Sequence, residues 1–147
     1  MPADSELPAL PRVWKPLGVR LAGWFFGAML LVVTVAAWLT APASVRDATS
    51  IAQRLTLLGF GVLGVVLLNA LMRCRVEAYA ERLVVVNGYR RRELAWPQVL
   101  AVRLPAGAPW ATLDLADGTT IAAMAIQSTD GDRARTAVRE LRSLLAR

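Results

Sequence analysis

The sequence predicts a membrane-anchored α+β protein. A hairpin of two transmembrane helices precedes a small domain of about six short antiparallel strands, folded as an open sandwich or barrel and capped by a C-terminal helix. Three observations carry this expectation. Two apolar blocks each match a bilayer in length. After Arg73 the chain changes to short segments with period-two alternation and turn dipeptides. The final residues return to helical spacing with an apolar stripe.

Composition narrows the function classes first. The chain is 56% hydrophobic and 19% charged, against about a quarter charged in an average soluble domain. Its net charge is +6 and its pI about 11.0, carried by arginine, with Lys15 the only lysine. That balance suits an anionic partner, and both nucleic acid and lipid headgroups qualify. The apolar excess favours the membrane over nucleic acid. With a lone Cys74 and no histidine, an intrachain disulfide, ordinary zinc sites and His-based triads are all excluded.

Residues 1–20 form the N-terminal segment. The first block, Leu21 to Leu39, and the second, Leu55 to Met72, carry no charged residue. At about 1.5 Å per residue each reaches roughly 27–29 Å, close to the hydrocarbon thickness of a bilayer. Residues 73–147 are too few to cover two helices that are apolar on every face. Arg12, Lys15 and Arg20 precede the first span, and Arg73, Arg75, Arg82 and Arg90 to Arg92 follow the second. The loop 40–54 holds only Arg46 and Arg54. The positive-inside rule therefore predicts a multi-pass protein of the plasma membrane with both termini cytoplasmic and the loop outside. Trp24 and Trp38 suit an interfacial belt. The Ala41-Pro42-Ala43 sequence looks like a signal-peptidase site, but the apolar run is too long for an h-region and Pro42 sits inside the motif.

The stretch GFGVLG, Gly59 to Gly64, matches a dinucleotide fingerprint in letters only. That motif needs a preceding strand and a helix starting at it, whereas these glycines lie inside an apolar helix. Gly59, Gly61 and Gly64, with Gly23 and Gly27 in the first span, read instead as small residues that let helices approach closely. They predict packing within the hairpin or self-association, and a homo-oligomer is one expected partner state.

Segments 76–80, 83–87, 90–95, 99–104, 110–116 and 119–125 read as six strands. Asn87-Gly88 and Asp117-Gly118 are turn pairs, and PAGAP at 105–109 is a looser connection. Leu100, Val102 and Leu104 alternate with Val99, Ala101 and Arg103. Ala111, Leu113 and Leu115 alternate with Thr112, Asp114 and Ala116. This is the pattern of half-buried antiparallel strands. In the last helix Ser128, Thr129 and Asp130 are capping candidates and Asp132 is acidic in the first turn. Ala134, Val138, Leu141 and Leu145, widened by Ala137 and Leu144, make an amphipathic stripe that needs the sheet to cover. Lying on lipid is the other use of a basic amphipathic helix, but this face is alanine-rich and lacks aromatics.

The segments LAWPQVLAVR, PWATLDLADGT, AIQ and DGDRARTAVRELRSLLA, together with the two-span layout, resemble the small actinobacterial PH domain-containing membrane proteins of the low-molecular-weight antigen type. The resemblance implies a PH-like fold and a membrane setting, and little about chemistry. A full PH fold has seven strands, one more than the six read here. Phosphoinositide-binding members of that fold use a basic loop between their first two strands. The turn read as equivalent, near Glu81 and Arg82, is short and mixed in charge.

Arg90 and Arg92 point to one side of a strand and Arg91 to the other, with Tyr89 and Glu93 beside Arg91. The three arginines join into one surface only with help from Arg73 and Arg75. For the run Arg90 to Arg92 the readings are, in order, the wet side of an edge strand that resists pairing, orientation of the domain on anionic headgroups, a specific lipid or phosphate site, and nucleic acid. With Arg73 and Arg75 the five are the expected contact with anionic lipid or a partner. No nucleophile with an activating base is visible, and Asp114 and Asp117 do not form a working pair, so no enzyme and no cofactor are expected. The expected function is a membrane-anchored binding or scaffolding module that docks a protein partner or contacts headgroups. The alternative is an accessory subunit of a larger membrane assembly, packed through the glycines.

Overall fold

The computed structural model describes residues 9–146. The chain forms two compact units: residues up to Gly18 together with those from Arg73 onward, and residues 19–72.

The apolar unit is built on α1 (Leu17–Thr40) and α3 (Ile51–Arg73), joined through the short α2 (Ala43–Ala48). Both long helices have the length and composition to cross a membrane. Neither has a polar side: Trp24, Leu30 and Phe60 are each about two-thirds exposed. The protein leaves these surfaces uncovered, and they are of the kind that lipid can cover. Both helices begin before the apolar blocks do. At α3 the reason is a reciprocal cap. The Gln53 side chain accepts the Ser50 N–H at 2.9 Å, and Ser50 Oγ accepts the Gln53 N–H at 3.3 Å. Arg54 fastens the connection, donating to the carbonyls of Thr49 and Arg46 and lying 5.4 Å over the Trp38 ring.

The other unit contains two antiparallel sheets. In the first the order is β1 (Arg12–Trp14), β2 (Arg75–Ala78), β3 (Arg82–Asn87), β4 (Arg90–Ala95). In the second it is β5 (Val99–Arg103), β6 (Trp110–Leu115), β7 (Thr120–Gln127). The sheets do not close into a barrel. Their inner faces and the helix α4 (Asp132–Leu145) share one core in which Leu83, Leu113 and Leu141 are fully buried. The α4 stripe is close to the one the spacing predicts: Ala134, Ala137, Val138, Leu141 and Leu144 are buried, and Leu145 is partly so.

The seventh strand lies ahead of the hairpin. Arg12–Trp14 pairs antiparallel with Arg75–Ala78, with Trp14 opposite Val76. Glu140 of α4 holds this strand in place. Its carboxylate accepts Arg12 Nη2 at 3.0 Å, Arg12 Nε at 3.2 Å and Trp14 Nε1 at 2.8 Å. Pro16 is fully buried. The Glu81–Arg82 turn therefore joins the second and third strands. The first and second are joined by the whole hairpin.

Three local details differ from the sequence reading. A register shift between Val99 and Ala101 turns Leu100 outward to 66% exposure, while Val99 and Val102 are buried. A bulge of this kind breaks period two at one residue. In the β3–β4 hairpin the loop residues are Gly88, with φ +63°, and Tyr89, so Asn87 stays paired with Arg90. The Asn87 side chain crosses to the second sheet, donating to the Ala122 carbonyl and accepting the Met124 N–H. At α4 the N-cap is Gly131, with no side-chain cap bond; Ser128–Asp130 forms a 3-10 turn. Asp130 instead accepts the N–H groups of Leu17 and Gly18 at 3.3 and 3.1 Å, covering free donors at the start of α1.

Candidate interaction surface

The outer face of the first sheet is a lattice of charge laid over valine. Val84 lies opposite Glu77 and Glu93, and Val86 opposite Arg75 and Arg91. Both valines are buried although they face away from the core, 0% and 4% exposed. The flanking stems of charged residues cover such positions while their heads reach water. The heads pair with one another. Arg75 meets Glu77 at 2.5 Å, Arg91 meets Glu93 at 2.6 Å, and Arg82 reaches Glu93 at 3.7 Å. Tyr79 Oη donates to Glu77 at 3.0 Å. The Arg75 hydrogen bond, and less so the Tyr79 one, hold the Glu77 carboxyl below its ordinary pKa despite partial burial. The same hydrogen bond raises the Tyr79 hydroxyl.

The five arginines singled out in the sequence thus divide. Arg75 and Arg91 belong to this lattice. Arg90 and Arg92 stand on the other side of the β4 edge strand, exposed, with no ion pair among the described residues. The charge of Arg92 contributes to lowering the Asp117 carboxyl, whose main cause is the pair of hydrogen bonds from Thr119. Arg73 lies with its guanidinium 5.3 Å from the Tyr89 ring centre. Cys74 Sγ accepts the Gly88 N–H at 3.3 Å. The chain therefore enters the domain against the β3–β4 turn, where Arg73, the exposed Tyr89 and Arg90 form a basic, aromatic corner. Tyr89 was absent from the sequence-derived site. Its signal was an aromatic beside arginine in a turn, legible only once Arg73 was known to return there.

In the apolar unit the glycines also divide. A Cβ at Gly23 would come within 2.7 Å of Leu68 Cδ1, and one at Gly27 within 3.3 Å of Leu68 Cδ2. These two glycines seat α1 against a leucine of α3. A Cβ at Gly59, Gly61 or Gly64 would meet nothing within 4 Å outside its own stretch of helix.

Among the described residues no cluster of three or more His, Cys, Asp or Glu is placed to hold a metal. A family model described as a bacterial PH domain matches residues 73–144. Two uncharacterized mycobacterial proteins, Rv1417 of Mycobacterium tuberculosis and Mb1452 of Mycobacterium bovis, are each 35% identical to the chain. The alignments cover 99% of it and 92% of each relative, so the likeness runs through the helical hairpin as well as the sheets. No solved structure matches the chain.

Proposed function

Because the chain belongs to the bacterial PH domain family, whose members are non-catalytic, we propose that it is a binding module anchored at the cytoplasmic face of the cell membrane by its two apolar helices. Its domain contacts anionic headgroups through the corner at the β3–β4 turn and offers its remaining surface to a protein partner.

The observation that carries the headgroup contact is the stacking of Arg73, the last residue of α3, on the exposed Tyr89. Tyrosine and arginine at the end of an apolar helix are interfacial anchors. Arg90 and Arg92 extend the same corner, and each basic side chain near an anionic surface contributes roughly 1 kcal/mol. The lattice arginines, Arg75 and Arg91, are held by carboxylates and contribute less. The strand order supports the topology. β1 runs into α1, α3 runs into β2, and β1 and β2 are hydrogen-bonded neighbours. A membrane crossed between them must be crossed an even number of times. The arginine bias then selects the cytoplasm for both ends.

Hydrogen exchange on the full-length chain in nanodiscs tests the headgroup contact. Amides of residues 88–92 are expected to slow when anionic lipid replaces phosphatidylcholine, and to recover at high salt and in Arg90→Ala/Arg92→Ala. Unchanged exchange there would remove the lipid contact and leave docking of a protein as the function of this surface. Labelling an introduced cysteine at the exposed Ser44 in intact cells tests the topology, with modification from outside expected.

A second reading is favoured by one observation, the open space beside Gly59, Gly61 and Gly64. Gly61 and Gly64 share a side of α3 and admit another helix closely, as in a subunit of a larger assembly or a homo-oligomer. Crosslinking of the intact chain with and without Gly61→Leu checks it.

A further inference from the structure

Arginine also gathers in a second place. Between α4 and the loop that follows β5 lies a groove of about 470 Å³, within the range of small-ligand sites. Its lining includes Arg135, Arg139 and Arg142 and, among the described residues, no carboxylate. The three stand at i, i+4 and i+7, one stripe of the helix. The single acid of α4 that is well ordered by partners, Glu140, is turned away to Arg12 and Trp14.

Both walls are fixed. Ser128 donates through its backbone N–H and its Oγ to the Pro109 carbonyl, at 3.0 and 3.3 Å, holding the far end of the loop. Arg142 Nε donates to the Val102 carbonyl at 2.9 Å, holding the helix to β5. That bond leaves the other guanidinium nitrogens of Arg142 to face a ligand. Among the described residues Arg139 meets only the Thr136 hydroxyl, at 3.0 Å. Arg135 pairs with Asp132 at 3.1 Å, but the two side chains are 74% and 94% exposed, so a competing anion displaces this pair at little cost.

We infer that this groove binds a phosphate-bearing small molecule, with the arginine stripe gripping a phosphate monoester or pyrophosphate group and Leu104 and Val138 receiving its apolar part. Guanidinium forks match phosphate oxygens in geometry and charge. Three of them, with only the exposed Arg135–Asp132 pair to compete, suit a group carrying more than one negative charge. An acidic peptide added to β5 as a further strand fits less well. The Val102 carbonyl on that edge is already taken by Arg142, and α4 lies along it. The groove shares no residue with the β3–β4 corner, so this inference stands or falls separately from the headgroup contact proposed there.

The test uses the full-length chain in phosphatidylcholine nanodiscs, titrated with pyrophosphate and read by the NMR signals of the arginine side-chain N–H groups. Saturable shifts of Arg135, Arg139 and Arg142 are expected. Binding should weaken at least about tenfold in Arg135→Gln/Arg139→Gln and stay within about twofold in Arg90→Gln/Arg92→Gln. A parallel series replaces pyrophosphate with phosphatidic acid in the disc. Shifts of the same three arginines there alone assign the phosphate to a lipid headgroup; shifts with pyrophosphate assign it to a soluble ester. Silence of the three arginines in both series overturns the inference, as does an equal loss in the two double variants, which would mean diffuse attraction of anions to a basic protein. Both substituted positions are exposed on α4, and an unchanged amide spectrum for the core verifies that the fold is kept.

Discussion

The two units use the same apolar residue types to opposite ends. In the hairpin Leu30 is 67% exposed and Phe60 68%, whereas in the domain Leu83, Leu113 and Leu141 are fully buried. The difference lies in pattern rather than hydrophobicity. A helix apolar all round has no wet side to present and is completed by lipid, whereas alternating strands bury one face against each other and against α4. Stability of the domain should therefore answer to single core atoms, and that of the hairpin to helix contact and the surrounding lipid.

The largest expected effect tests this directly. Leu113→Ala should destabilise the domain by about 2–5 kcal/mol, read as faster hydrogen exchange of β6 and β7 amides in nanodiscs. Phe60→Ala should leave those amides unchanged. Equal effects would erase the contrast between the units. Next is the strand that ties them in sequence. Glu140→Ala removes the partner of both Arg12 and Trp14 and is expected to cost about 1–3 kcal/mol, with exchange rising first at β1 and its neighbour β2. An effect of similar size is expected inside the hairpin. Gly23→Leu overlaps Leu68 and should cost about 1–3 kcal/mol of helix association, seen as a loss of crosslinking between cysteines placed on α1 and α3. Gly61→Leu meets open space and should leave that crosslink intact.

The smallest effect is a pH dependence confined to the domain. The Glu77 carboxyl titrates below its ordinary value when folded. Its contribution is thus complete above the unfolded pKa near 4.5 and is lost as pH falls through the lower, folded one. Glu77→Gln should flatten the acid side of the domain's stability profile by about 1 kcal/mol, with the wild-type and variant profiles running parallel above about pH 6. A steeper acid limb in the variant would mean that Glu77 does not stabilise the lattice.

Sequence reading located the six strands after Arg73, the α4 stripe and both apolar helices, because each is written in a local period. It missed what depends on meeting at a distance. Arg12–Trp14 is too short to register as a strand alone, and its partner lies beyond the hairpin. Leu100 was grouped on one side with Val102 and Leu104 because alternation cannot reveal a bulge. Asp130 was read as a cap for its own helix but serves Leu17 and Gly18, since a carboxylate takes whichever free N–H the fold brings near. The candidate surface was partly legible: strand alternation sets Tyr89 and Glu93 on the side of Arg91, while the return of Arg73 to Tyr89 and the reach of Arg82 to Glu93 emerged only from the fold.

By itself, then, the sequence determined that this chain joins two long apolar helices to a small basic α+β domain, because hydrophobic period and block length are local properties. Only the tertiary structure decided that the sheet is completed by residues preceding the hairpin, that Arg73 returns to Tyr89, and that three helix arginines line one groove. The reason is physical. Strand pairing and enclosure are made by residues far apart in the chain, and their free energies depend on geometry that no local pattern encodes.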